Sequence, residues 1–314
     1  MSLTVPFIHQ LTNAQEAMWL DALRVAAPTL HICRLADLTQ SERDAVCVAI
    51  VANPNPAELS DLPNLGWVQS LWAGVERLLQ ELPQKNIDIV RLIDPQLGDT
   101  MAEAVLAWTL YLHRDMPRYA AQQQRVIWAQ HVLPLASDRT VGVLGLGHLG
   151  VKAAQRLAAN GFNVLGWNRS VKQVPQVETL SGLDGLNNIA ARSDIIVVLV
   201  PSTPQTRGVL GKEFLAQIKP GAAFINFARA DIIDNEALFA ALNDGRASHA
   251  VLDVHHIKPL PQTDPAWDQH NLTILPHIAA STHLQSAVRI VSANLTEFMV
   301  NGTIPPAVSR DTGY

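Results

Sequence analysis

The chain has 314 residues, a formal net charge of −5, and 48% hydrophobic but only 16% charged residues. This length favours two domains over one. The composition excludes an intrinsically disordered protein and predicts many buried strands and helices. Because the charge is acidic and no cluster of Lys or Arg occurs, we expect neither a nucleic acid nor an anionic membrane as partner. Small molecules are the expected partners.

The amino terminus and the cysteines predict a cytoplasmic protein. The start, MSLTVPFIHQ, lacks the basic segment and long apolar run of a signal peptide. No apolar run reaches the roughly 20 residues that span a bilayer. Cys33 and Cys47 lie in apolar stretches, which is typical of buried free thiols in a reducing compartment.

Short apolar runs alternate with helical patterns in the first third of the chain. The expected strands are TVPFIH, LHICRL, AVCVAIVA, LGWVQSL and DIVRLI, and their alternation with helices predicts an α/β layer structure with parallel strands. Asn13 and Glu16 predict a capping box at the start of the first helix, and Pro28 is expected to end it. After Gly98, one long helical pattern predicts a crossover between two domains.

A second α/β series begins at Arg139. Its expected strands are TVGVLGL, FNVLGW, DIIVVLV, AAFINFA, HAVLDV and LTILP. Gly161, Gly245 and Gly302 follow helical stretches, where a left-handed residue typically ends the helix. The last helix, SAVRIVSANLTEFMVNG, is expected to pack on the first domain.

The stretch VGVLGLGHLG contains the pattern G-x-G-x-x-G at Gly145, Gly147 and Gly150, between a strand and a helix. The first glycine permits a tight turn, the second permits close approach of a pyrophosphate, and the third permits close packing of helix and strand. His148 and Leu149 begin the helix, whose free N–H groups favour phosphate. A purely structural turn is the alternative, but the position between strand and helix favours a dinucleotide site.

The end of the next strand indicates which dinucleotide binds. An acidic residue at this place would bind the ribose of NAD, but the chain has Asn168, Arg169, Ser170 and Lys172. Arginine suits the 2′-phosphate of NADP. We therefore predict NADP, with NAD as the second choice; a solvated basic turn without a role is the alternative. Further on, Val200, Pro201 and Thr206 are suited to line the nicotinamide side.

Five motifs occur in a specific order: GLGHLG, PSTPQT, NFARADIID, LDV followed by PLP, and LPHIAAST. In this order they resemble the D-isomer-specific 2-hydroxyacid dehydrogenases, and within that family the glyoxylate/hydroxypyruvate reductases, from the SLWAGVE loop to the final GY. The resemblance implies two Rossmann-like domains with doubly wound parallel sheets. A dinucleotide-binding domain at 101–284 is then inserted in a split substrate domain, 1–100 with 285–314. The resemblance also implies a homodimer.

The same resemblance implies NADPH-dependent reduction of a small 2-oxo acid, glyoxylate to glycolate or hydroxypyruvate to glycerate. Arg229 matches the substrate arginine, and its charged fork suits a carboxylate and a developing oxyanion; an exposed ion pair is the alternative. Ala73 and Gly74 match a loop whose backbone N–H groups meet the substrate carboxylate, although Gly74 is also explained as a turn residue. Trp72 is expected to border the substrate as well.

His277 matches the proton donor of the family, a role that suits a group titrating near neutrality; a structural histidine is the alternative. Asp253 matches a position near the nicotinamide, and Phe227, Ala228 and His277 are also expected to bind the cofactor. For Asp253 an ordinary hydrogen-bonding acid is the alternative.

One stretch, LDVHHIKPLP, departs from the family pattern: Lys258 stands where a glutamate would pair with the proton donor. An ammonium facing His277 disfavours the imidazolium, which predicts slow reduction with an acidic optimum and a higher kcat in Lys258→Glu. If Lys258 points to solvent, screening removes most of this effect. The alternative function is a dinucleotide-binding regulatory or interaction protein with reduced or lost dehydrogenase activity. We predict no metal site, because the neighbours His255 and His256 would point to opposite faces of a strand.

Overall fold

A computed structural model describes residues 3–82 and 86–310. The chain forms two compact units, unit 1 (Met1–Gln96 with Thr282–Tyr314) and unit 2 (Leu97–Ser281). The predicted domain bounds, 100/101 and 284/285, lie close to these limits. The final GY of the predicted family resemblance lies outside the described residues.

The described residues contain strands and helices in the alternation that the sequence predicts. The strands are β1 (Thr4–His9), β2 (His31–Arg34), β3 (Val48–Ala52), β4 (Trp67–Ser70), β5 (Asp88–Val90), β6 (Thr140–Leu144), β7 (Asn163–Asn168), β8 (Glu178–Ser181), β9 (Ile195–Val198), β10 (Ala222–Asn226), β11 (Ala247–Leu252) and β12 (Leu272–Ile274). The helices are α1 (Asn13–Ala26), α2 (Gln40–Asp44), α3 (Pro56–Ser60), α4 (Glu76–Glu81), α5 (Pro95–His113), α6 (Met116–Gln124), α7 (His148–Ala159), α8 (Gly182–Arg192), α9 (Lys212–Ala216), α10 (Asn235–Asn243) and α11 (Leu284–Asn301).

The described part of unit 1 contains a parallel sheet in the order β2-β1-β3-β4-β5. One face packs against α1 and α11, so the last helix returns to the first unit as predicted. The other face packs against residues of α3 and α4. Because both faces are covered, β3 is buried along its whole length, as parallel strands require.

The start of α1 differs from the predicted capping box. Thr12 caps the helix, since its hydroxyl accepts from the N–H of Gln15 at 3.4 Å and the Gln15 side chain accepts from the N–H of Thr12 at 3.1 Å. Asn13 is already the first helical residue. The prediction of Asn13 with Glu16 is therefore wrong by one residue, because Thr12 with Gln15 offers the same reciprocal pairing.

Unit 2 contains a parallel sheet in the order β12-β11-β10-β9-β6-β7-β8. Successive residues of β9 point to opposite faces: Ile196 and Val198 enter the core beside α8, α9 and α10, whereas Ile195 and Val197 enter the core beside α5 and α7. This is a doubly wound α/β sheet, as the sequence predicts.

Two elements of unit 2 differ from the prediction. The long helical pattern after Gly98 begins earlier, at Pro95, and is broken into α5 and α6 at Asp115, which has a left-handed backbone (φ 56°). Pro117 in the first turn of α6 lacks the N–H that would continue α5. The short edge strand β8 was not predicted, since three of its four side chains are polar and none is fully buried.

Local turn chemistry follows the sequence where glycine is required. Gly161, Gly245 and Gly302 have φ values of 87°, 80° and 67° and lie directly after helices, which confirms the predicted left-handed positions. Cys33 is a buried free thiol, and Cys47 is free but only partly buried. Among the helices of the described residues, none has the length and apolar character needed to cross a membrane.

We expect stability to depend on the protonation of His249 in β11. Burial lowers the pKa of His249 to about 4, and its Nε2 lies 2.9 Å from the Thr273 hydroxyl. Since this ring binds its proton more readily in the unfolded chain, stability should fall as the pH drops from about 6.5 towards 4, by roughly 3 kcal/mol at most.

Thermal unfolding across this pH range measures the effect. His249→Gln is the matched control, because an amide keeps a hydrogen bond to Thr273 but does not titrate. Its unfolding temperature should fall less steeply with pH, and an identical slope in both proteins would contradict the assignment.

Candidate active site

The predicted site residues of unit 2 lie at the carboxyl ends of its strands. From β6 the chain proceeds through β7 to β8 on one side of the sheet, and then through β9, β10 and β11 to β12 on the other. In doubly wound sheets, ligands bind in the crevice where the strand order reverses. Here that position lies between the carboxyl ends of β6 and β9.

The glycine loop after β6 has the shape that a pyrophosphate needs. A Cβ on Gly150 would lie 1.7 Å from the carbonyl oxygen of Gly145, and one on Gly145 (φ 100°) would lie 2.8 Å from the backbone of Leu199 and Val200. A Cβ on Gly147 would meet no atom within 4 Å. A side chain at Gly145 or Gly150 would therefore collide with the backbone, whereas the space beside Gly147 is open.

The first turn of α7 faces this open space. Gly147 is the N-cap of α7 and provides no side chain to cap it. His148 is exposed and Leu149 half-buried. Free N–H groups and the positive end of a helix favour an anion, so the residues present fit a dinucleotide phosphate.

Basic side chains lie beside the glycine loop. Nζ of Lys172 donates to the Leu146 carbonyl at 2.6 Å, which holds the segment after β7 against the loop. The side chain of Asn168 donates to Ser170 at the end of β7, and Arg169 is exposed. An open cavity lies between the start of α7 and the segment after β7. It is lined by Gly147, His148, Val151, Lys152, Lys172, Gln173, Val174 and Pro175.

The turn after β9 is fixed by the side chain of Thr206. Its hydroxyl donates to the Pro201 carbonyl at 2.6 Å and accepts from the Thr203 N–H at 2.8 Å. Val200 is buried and Pro201 half-buried. That these residues line the nicotinamide stays a prediction.

Arg229 lies in the loop after β10, and Asn226 holds this loop in shape. Asn226 is 2% exposed; its amide accepts from the Ala228 N–H and donates to the Arg229 carbonyl, both at 3.0 Å. The Arg229 guanidinium donates to the Ala228 carbonyl at 2.8 Å. Phe227 and Ala228 are buried. The sequence reasoning missed Asn226, although an amide at the end of a buried strand was a usable signal.

His277 follows β12 and has a left-handed backbone (φ 62°). The carboxylate of Asp253, at the end of β11, accepts from the N–H of Ile278 at 2.6 Å and of Ala279 at 3.0 Å. Asp253 is 2% exposed. The side chain of Asp253 therefore positions the His277 loop, and its contact with the nicotinamide stays a prediction.

Lys258 faces His277 rather than pointing away from it. Its Nζ lies 2.8 Å from Nδ1 of His277. The two orientations left open by the sequence are thereby resolved in favour of contact. The distance is that of a direct hydrogen bond.

The surroundings of His277 disfavour its charged form. Partial burial of the ring lowers its pKa most, the Lys258 ammonium lowers it further, and Arg229 and His255 add smaller effects in the same direction. The Asp253 carboxylate raises the pKa, but the net direction is downward. Lys258 thus lowers the pKa of His277, as predicted from the sequence.

His255 lies near His277, and its Nε2 is buried without a hydrogen-bond partner among the described residues. His256 is exposed. No group of three or more metal-binding side chains occurs in the described ranges. Of the two, only His255 is shown to interact with His277.

The predicted carboxylate loop lies in unit 1, directly after β4. The Trp72 N–H donates to the Ser70 hydroxyl at 3.0 Å, and the Trp72 ring packs edge-on against Trp19. Ala73 and Gly74 are half-buried. Substrate binding by these residues stays a prediction.

Comparison with known proteins identifies the chain. Residues 106–279 match the family model for the D-isomer specific 2-hydroxyacid dehydrogenase, NAD binding domain. Glyoxylate/hydroxypyruvate reductase A of Serratia proteamaculans is 32% identical over 319 residues, which cover 99% of this chain and 100% of the relative.

Two solved structures are similar over the whole chain. A D-isomer specific 2-hydroxyacid dehydrogenase from Xanthobacter autotrophicus, in complex with NADPH and MES, has a TM-score of 0.91 at 35% identity, with 100% of each chain covered. An NADPH-dependent glyoxylate/hydroxypyruvate reductase from Sinorhizobium meliloti, in complex with NADP and sulfate, has a TM-score of 0.88 at 30% identity, again with 100% of each chain covered. The chain therefore belongs to the D-isomer specific 2-hydroxyacid dehydrogenase family, and it is an NAD(P)-dependent oxidoreductase of that family.

Proposed function

We propose that the protein is an NADPH-dependent reductase of a small 2-oxo acid, with glyoxylate and hydroxypyruvate as substrates. The observation that carries this proposal is that Arg229 and His277 lie at the carboxyl ends of β10 and β12, on either side of β11, close enough for the arginine to lower the pKa of the histidine. The relatives from Serratia proteamaculans and Sinorhizobium meliloti, which bear the names of such reductases, support the choice of substrate.

Arg229 suits the recognition of the substrate. Its guanidinium is permanently charged and presents several N–H donors in a rigid fork. One of these donors is bound to the Ala228 carbonyl, which fixes the orientation of the group. The same cation stabilises the negative charge that develops on the ketone oxygen during reduction.

His277 suits the delivery of the proton. The reduced nicotinamide supplies, when bound, the hydride that converts the ketone carbon to an alcohol carbon. The resulting alkoxide then takes a proton, which the imidazole of His277 provides. Asp253 orients this imidazole through the backbone of Ile278 and Ala279.

Gly145, Gly147 and Gly150 would hold the pyrophosphate together with the first turn of α7, and the segment from Asn168 to Lys172 would hold the ribose phosphate. Arg169 and Lys172 support NADP over NAD, because neither accepts a hydrogen bond from a ribose hydroxyl whereas both attract a phosphate. The two solved relatives described above contain NADPH and NADP.

We also propose a homodimer. Four large apolar side chains between residues 126 and 135 are strongly exposed: Val126, Trp128, Val132 and Leu135, at 93%, 97%, 99% and 69%. Apolar surface concentrated in one segment is typical of a protein interface. A cytoplasmic location stays a prediction from the sequence.

Two glycine variants test the dinucleotide site. In Gly147→Ala the new methyl group occupies open space, so the unfolding temperature should stay unchanged while the Kd for NADPH rises at least about tenfold. In Gly150→Ala the methyl group would collide with the Gly145 carbonyl, so both stability and binding should decrease. Titration of NADPH fluorescence and thermal unfolding measure the two effects, and unchanged affinity in Gly147→Ala would argue against the site.

A further prediction concerns the choice between NADPH and NADH. The kcat/KM should be higher with NADPH than with NADH, and Arg169→Gln should reduce the NADPH value by about tenfold, the worth of one charge-assisted hydrogen bond. The NADH value of the same variant serves as the internal control and should change little. Equal efficiency with both cofactors in the unaltered protein would contradict the NADP assignment.

The third prediction concerns the substrate arginine. Arg229→Gln should lower kcat/KM for glyoxylate and hydroxypyruvate by about 100-fold or more, because an oxyanion partner is lost, while the Kd for NADPH stays nearly constant. Arg246→Gln is the control, since Arg246 forms an exposed pair with Asp244. If turnover in Arg229→Gln matched that control, the substrate site would lie elsewhere.

A further inference from the structure

The contact between Lys258 and His277 determines which ring nitrogen carries the proton. An ammonium has three donors and no acceptor. Since Nζ lies 2.8 Å from Nδ1, Nδ1 accepts the hydrogen bond. A neutral His277 ring therefore carries its own proton on Nε2.

This arrangement creates a difficulty for simple acid catalysis. Burial, Lys258, Arg229 and His255 lower the pKa of His277, and Asp253 opposes them only partly. The ring is therefore mostly neutral at neutral pH. A neutral imidazole that gave up its Nε2 proton alone would become an imidazolate, a very unfavourable anion.

We propose that Lys258 supplies the proton that reduction consumes: its ammonium protonates Nδ1 of His277 while the Nε2 proton of the same ring moves to the substrate oxygen. This proposal rests on the proposed reductase function. Lys258 acts through His277 and is therefore a positioning residue that also provides a proton.

The step is balanced. One Nζ–H bond breaks as one Nδ1–H bond forms, and the Nε2–H bond breaks as the O–H bond of the product alcohol forms. The ring is neutral before and after the step. The Lys258 ammonium becomes a neutral amine, and the alkoxide left by hydride transfer to the ketone carbon becomes a neutral alcohol.

Exposure of Lys258 completes the cycle. Lys258 is exposed and the His277 ring is only partly buried. After each turnover solvent can therefore return a proton to Nε2 while the Nδ1 proton returns to the Lys258 amine, which restores the ammonium and the Nε2–H ring. The reverse reaction requires the neutral amine at its start. At neutral pH the pair therefore favours reduction of the 2-oxo acid over oxidation of the 2-hydroxy acid.

The relay changes the pH dependence expected from the sequence. If the imidazolium were the donor, reduction would have an acidic optimum and fall as the pH rose through the lowered pKa of His277. With Lys258 as the source, reduction persists above the lowered pKa of His277 for as long as Lys258 carries its ammonium proton. Lys258→Glu does not separate these cases, because a carboxylate would raise the pKa of His277 and create a different acid.

Lys258→Arg and Lys258→Met separate positioning from proton supply. Arginine keeps the charge and can donate to Nδ1, but it does not release a proton in the working pH range. Methionine removes both functions. We expect kcat for glyoxylate at pH 8 to fall by about 100-fold in both variants, the usual contribution of acid catalysis.

A measurement without cofactor or substrate reports the pair directly. Nitrogen-15 NMR of the histidine rings in the cofactor-free protein should show the Nε2–H tautomer for His277 at pH 7, and Lys258→Arg should preserve it. In Lys258→Met the tautomer preference should weaken and the pKa of His277 should rise, because a neighbouring cation is removed.

The outcomes are distinct. Loss of kcat at pH 8 in Lys258→Arg with the tautomer preserved supports the relay. A kcat–pH profile of Lys258→Arg that coincides with that of the unaltered protein would overturn it and leave Lys258 only an orienting role. An Nδ1–H tautomer in the unaltered protein would also overturn it. Absence of turnover with every 2-oxo acid, despite the Nε2–H tautomer, would instead refute the proposed function, and the relay with it.

Discussion

The buried carboxylate of Asp253 is the interaction on which the geometry of the candidate site depends. The carboxylate accepts hydrogen bonds from two backbone N–H groups after β12. The backbone N–H of Asp253 donates to the Asn226 carbonyl at the end of β10. Hydrogen bonds to a charged group contribute about 1.5 to 3 kcal/mol each. A left-handed non-glycine residue costs on the order of 1 to 3 kcal/mol. The two bonds therefore suffice to hold His277 in its strained backbone conformation.

The same cluster of cations explains both the attraction of an anion and the neutrality of His277. Arg229 and Lys258 are cations that would attract an anion, and both disfavour the imidazolium form of His277. The Asp253 carboxylate offsets this only in part, since it already accepts two backbone hydrogen bonds. In the proposed reductase, His277 would hold the proton that is transferred and Lys258 would hold the positive charge, so the two functions would lie on different groups.

The fold and most site positions follow from patterns that one sequence displays. Strand and helix alternation, glycine spacing and the ordered motifs depend on backbone geometry, which local residue types specify. The break between α5 and α6 was missed because it depends on a single left-handed residue. The short edge strand β8 was missed because it depends on pairing with β7. The cap of α1 was placed one residue late because two overlapping residue pairs satisfied the same pattern. The orientation of Lys258 was not predictable, since a long exposed side chain on a loop has many rotamers and its partner lies 19 residues away.

The position of Lys258 also explains how the residue that faces His277 can change while the strands that carry the site stay the same. Arg229, Asp253 and His277 follow β10, β11 and β12, which are neighbours in the sheet, so the order of parallel strands brings them together. Lys258 lies beyond β11 in an exposed loop and contributes nothing to either hydrophobic core of unit 2. A change from carboxylate to ammonium there costs little core packing. The change reverses the charge beside Nδ1 of His277. In the proposed relay, the proton is therefore held by the Lys258 ammonium instead of by an imidazolium.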